Sequence, residues 1–320
     1  MQRKRDILPY AANLTGAVAA VYIVSGTILQ LLAGVVVRSF HAQATLDNPI
    51  GVPESVTAAL HILIGALSLL AAVRFARSFG RSMLPKRFSF TDPRDRRLWL
   101  FLPVFLSIGL LGSVVSSLLQ SFLQKHTYYT PPQMSVLPES GLATAFCFIS
   151  MCVVPAIFEE LLVRGCLQNL FRRWGIWFSI AVSSAVFTLL HADVAQMPTI
   201  FCLSVFLGLC AYVTDSLFPG MVLHFANNAL SFLFLYIQQR MDGRTAIGVT
   251  VYLLAAFFFG AALCIWQIAA MNLMRTLRPI PRAANPKNRA HRVRRMLRSP
   301  LFVGMMLYLL VRAVWPLVVE

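Results

Sequence analysis

Long apolar runs alternate with short polar stretches along the whole chain. Runs of about 20 mostly apolar residues, the length that carries an α-helix through a bilayer, occupy 11–37, 56–73, 98–123, 142–163, 176–196, 198–217, 219–239, 246–271 and 300–319. The last is interrupted by Arg312 and Pro316. The runs are continuous, whereas the strands of a membrane barrel alternate apolar and polar positions. The pattern therefore predicts an all-α polytopic transmembrane helical bundle, with eight spans and a possible ninth at 300–319.

Composition agrees with the pattern. Of 320 residues, 58% are hydrophobic and only 12% charged, with a mean hydropathy of +0.70. A soluble domain carries about 25% charged residues, and half of that cannot cover its surface. Lys and Arg number 28 against 12 Asp and Glu, a net charge of +16.

Most of the basic residues fall in four segments: Arg3–Arg5, Arg74–Arg97, Arg164–Arg173 and Arg275–Arg298. All four lie on one side if every run up to residue 271 crosses. The opposite loops hold only Arg38, Lys125, Arg240 and Arg244. Positive residues resist translocation, so the expectation is a multi-pass protein of the cell membrane with a cytoplasmic N-terminus. The same placement removes the reason to invoke nucleic acid as a partner. Membrane lipid is the expected partner, with anionic headgroups facing Arg74–Arg97 and Arg275–Arg298.

The first run is far longer than the h-region of a signal peptide and reads as an uncleaved span. Six cysteines lie in or beside apolar runs without a CxxC spacing. They read as small core residues, not as disulfides or a zinc site. No internal repeat or second globular domain is evident, and Pro279–Asn288 reads as a flexible cytoplasmic loop.

Ionisable groups inside apolar runs cost several kcal/mol unless paired or wetted, so they mark candidate chemistry. Glu159, Glu160, Arg164, His191, Asp193, His224 and Asn228 stand out between 146 and 235. On a helix, Glu160 and Arg164 are i,i+4 neighbours and can pair. Glu159, about 100° around the axis, has no such local partner. His224 and Asn228 are also i,i+4 and offer two N–H donors from one face. Each feature has a plainer reading: a helix end reaching water, an interhelical hydrogen bond at His191, polar glue at His224 and Asn228. Asp193 and Asp215 read as helix-end or wet residues. A depth estimate from the 1.5 Å rise per residue puts Glu159, His224 and Asn228 within about 7 Å of one another, with His191 deeper.

Taken in order, Glu159-Glu160 with Arg164, Phe187 with His191, and His224 with Asn228 resemble the EExxxR, FxxxH and HxxxN motifs of the CAAX-protease and bacteriocin-processing family. That family, also called the abortive-infection family, includes the type 2 CAAX prenyl endopeptidases. Arg164-Gly165, Gly208 and Thr214…Pro219-Gly220 are accessory matches. The resemblance covers about 145–235 and divides the chain into N-terminal helices with a basic cytoplasmic loop (1–140), catalytic core helices (141–240) and a C-terminal part (241–320). GxGD, HExxH and GxSxG signatures are absent.

The resemblance implies an intramembrane endopeptidase acting on a peptide or protein substrate, prenylated or unmodified. Glu159 would take a proton from water, with His191 holding that water. His224 and Asn228 would stabilise the oxyanion, while Glu160 and Arg164 fix the helix. This scheme needs no cofactor. The alternative is zinc held by Glu159, His191 and His224; Asn228, a natural oxyanion donor, favours the metal-free form. A non-catalytic scaffold or bacteriocin-immunity protein of the same fold stays open, as does a transporter. Substrate identity and oligomeric state are not legible.

Overall fold

The computed structural model describes residues 7–39, 52–92, 95–129, 136–276 and 286–318. Arg3–Arg5 and residues 279–285 of the expected loop lie outside them. Every regular element among the described residues is helical. The main helices are α1 (Ile7–Ser39), α2 (Glu54–Phe79), α3 (Phe101–His126), α4 (Gly141–Trp174), α5 (Ile176–His191), α6 (Met197–Thr214), α7 (Phe218–Arg240), α8 (Gly243–Ala270), α9 (Pro286–Met296) and α10 (Pro300–Val314). Pro286–Asn288, read as loop, is the first turn of α9.

Starts of these helices carry the expected chemistry. Asp242 accepts from the Arg244 and Thr245 N–H groups at 3.2 and 3.1 Å and caps α8. Proline occupies the first turn of α6, α7 and α10, where its missing N–H is not needed.

Among the described residues, eight helices are long and apolar enough to cross a membrane: α1–α4, α6–α8, and α10 with its continuation to Leu317. The number expected from the sequence holds, but the membership differs. The run at 300–319 qualifies. The run at 176–196 yields a helix of 16 residues ending at His191, about 24 Å long. Nine of its residues are buried, so protein and not lipid surrounds most of it, and the thickness rule for a lipid-facing span binds it less. A short turn joins α5 to α6, and the two pack along each other as a hairpin.

Two buried clusters organise the interior. One joins α1, α2, α4, α5, Met296 and Phe302 through residues such as Leu8, Leu69, Leu162, Cys166, Phe171 and Val186. The other joins α3, α6 and α7 through Phe105, Leu110, Leu207 and Leu223. Between them, α4 buries Glu160, Arg164 and Gln168. Large apolar side chains point outward instead, among them Leu118 and Trp266, each 68% exposed. That inversion suits a protein solvated by lipid.

Candidate active site

The α4 helix is not uniformly wound. Ile149–Val153 and Leu161–Leu167 are π-helical and flank the α-helical turns Val154–Glu160. Wider π turns are frequent at functional sites. Here they flank the segment that carries Glu159 and Glu160. Pro155 supplies a second local cause of distortion, because it has no backbone N–H to give the preceding turn.

Glu160 and Arg164 pair at 2.7 Å with both side chains 1% exposed. Arg164 also donates to the backbone O and Oγ of Ser204 on α6, at 2.8 and 2.9 Å. The same Glu160 Oε1 lies 3.0 Å from His224 Nδ1. A carboxylate only accepts, so Nδ1 carries the proton of that bond. His224 Nε2 is then turned toward Glu159, 3.8 Å from its Oε2. Glu159 is thus without an intrahelical partner, as the sequence implies, but it faces a histidine on another helix.

Two glycines permit this approach. A Cβ at Gly220 would stand 3.2 Å from Glu160 Oε2, and one at Gly208 would stand 3.1 Å from Gln168 Oε1. Gln168 Nε2 donates to the Gly208 carbonyl at 3.0 Å. The accessory glycines therefore mark where α6 and α7 close onto the polar flank of α4.

Phe187 ties the three motifs together. Its ring lies under the Arg164 guanidinium at 5.2 Å, edge-on to His224 at 6.2 Å, and against His191 at 4.6 Å. His191 Nδ1 is 2.9 Å from the Phe187 carbonyl. That oxygen only accepts, so Nδ1 holds the proton and Nε2 presents a lone pair.

His191, His224 and Asn228 line one cavity of about 440 Å³, together with Phe187, Gln196 and Ser204. Glu159 is not among its lining residues; it stands behind His224 Nε2. Asn228 Nδ2 donates to the Met151 carbonyl at 3.2 Å, within the first π-helical turn of α4. Asn228 Oδ1 faces Asn227 Nδ2 at 3.5 Å. The second Nδ2 hydrogen remains for the cavity.

Among the described residues, no three His, Cys, Asp or Glu side chains are placed to hold a metal ion. All six cysteines are free thiols.

Asp193 lies at a helix end, just past the last residue of α5, as the sequence implies, but it is not wet. It is 6% exposed and accepts from Tyr129 Oη, Ala195 N and Gln196 Nε2 at 2.8, 3.0 and 2.6 Å. Asp215 fits its expected place, in a left-handed turn and paired with Arg172 at 3.1 Å.

Residues 141–230 match the family described as Type II CAAX prenyl endopeptidase Rce1-like, which bears out the resemblance over that part of the chain. No curated protein and no solved structure matches the chain significantly.

Proposed function

We propose that this multi-pass membrane protein is an intramembrane endopeptidase that hydrolyses a peptide bond with a glutamate-activated water. One observation carries the reading. Three polar motifs from separate helices meet at Glu160, Arg164 and His224 around Phe187, inside the segment that matches the CAAX endopeptidases.

In this scheme Glu159 takes a proton from water as the oxygen attacks the scissile carbonyl. The His191 Nε2 lone pair accepts the water's other hydrogen and orients the attack. Developing charge on the carbonyl oxygen meets the free Asn228 N–H and a protonated His224 Nε2. Glu160, held by Arg164, anchors His224 through Nδ1. Glu159 then gives its proton to the departing amine. Neither charge nor proton is left over at the end.

The test uses purified protein in liposomes and a quenched fluorescent peptide ending in a CAAX sequence, supplied farnesylated and unlipidated. Wild type should cleave at least one form. Glu159→Gln should lose nearly all activity at an unchanged melting temperature, since the amide is isosteric and the side chain is 18% exposed. An active Glu159→Gln protein would refute the role of this glutamate.

A further inference from the structure

Asp193 is buried but has no part in the scheme above. Its carboxylate gathers Tyr129 from the end of α3, the N–H of Ala195 and the side-chain amide of Gln196. It does so just after α5 ends: Ala192, the residue following His191, is left-handed at φ 52°. The buried acid therefore pins the turn between α5 and α6.

The amide of Gln196 has two unlike ends. A carboxylate can take only the NH₂ end, and Asp193 Oδ2 holds Nε2 at 2.6 Å. The carbonyl end, Oε1, is thereby turned away from Asp193. Gln196 is exposed and lines the cavity that His191, His224 and Asn228 also line. In the proposed reaction His224 and Asn228 supply N–H donors to the same cavity. Its lining thus combines an oriented acceptor with donors.

An extended peptide offers complementary groups, a carbonyl and an N–H at each residue. With its carbonyl on the donors, an N–H that left water without an acceptor would be penalised. We propose that Gln196 Oε1 accepts a hydrogen bond from a backbone N–H of the substrate peptide, and that Asp193 and Tyr129 are positioning residues that hold the amide in this orientation. The proposal rests on the endopeptidase reading and adds to it the recognition of unsubstituted peptide backbone.

The test pairs Gln196→Leu, close in shape and without an acceptor, with the fluorescent reporter N-methylated at one amide at a time around the scissile bond. Gln196→Leu should raise KM about tenfold, the worth of one net hydrogen bond, and lower kcat far less. N-methylation at one position should raise the wild-type KM similarly yet leave Gln196→Leu unaffected, the non-additivity expected of a shared contact. Tyr129→Phe should shift KM in the same direction, less strongly, with sensitivity at the same amide. An unchanged KM in Gln196→Leu, or additive effects at every methylated position, would overturn the assignment. A folded wild type that cleaves no reporter would defeat the endopeptidase reading itself, and this proposal with it.

Discussion

Replacing Glu160 by glutamine removes the negative charge from a pocket that keeps its positive one. Arg164 would remain 1% exposed, still bonded to Ser204 but without its carboxylate. Removing one partner of a buried ion pair costs about 3–5 kcal/mol. An independent count agrees: two hydrogen bonds to a charged group, from Arg164 and His224, are each worth about 1.5–3 kcal/mol. At about 2–4 °C per kcal/mol for domains of 150–250 residues, the melting temperature should fall by roughly 6–20 °C. Activity should fall as well, because His224 loses the anchor on Nδ1. Glu159→Gln is the control, since its histidine contact, at 3.8 Å, is longer than a hydrogen bond. Thermal unfolding of both variants in one detergent decides the matter. A Glu160→Gln protein as stable as wild type, or a Glu159→Gln protein equally destabilised, would refute the division of labour between the two carboxylates.

Three other outcomes are expected. Asn228→Ala should cost about 2.7–4 kcal/mol of transition-state stabilisation, a loss of about 10²–10³ in kcat typical of one oxyanion donor, measured on the reporter at saturating peptide. Activity should survive prolonged dialysis against a strong chelator; abolition by chelation with recovery on adding zinc would make His191 and His224 ligands. A single cysteine at Ser89 should escape membrane-impermeant thiol reagents in sealed cells and react after lysis, because a segment as basic as Arg74–Arg97 resists translocation.

Apolar run length made the helices legible, and i,i+4 spacing made the Glu160–Arg164 pair legible even though the helix beyond Glu160 is π-wound. The meeting of Glu159 with His224 was not readable from spacing, because the partners lie on different helices; only the ordered motifs pointed to it. The burial of Asp193 was hidden for a related reason. Its phenol partner, Tyr129, is 64 residues away, and no periodicity connects a loop to a turn at that distance. Nothing marked the left-handed Ala192 either, since the sequence there has neither Gly nor Asn to signal a helix stop. Pro155 was the one visible hint of irregular winding in α4.

That proline has an evolutionary consequence. Pro155→Ala would restore a backbone donor to α4, so the variant should gain thermal stability. It would also let the π turn that contains Met151 rewind, and so shift the carbonyl that fixes the Asn228 amide. Resilience to heat and turnover are thus set against each other at a residue that takes no part in the chemistry. A laboratory selection for thermal hardiness alone should arrive at position 155 early, and the clones it returned would be sturdier and slower.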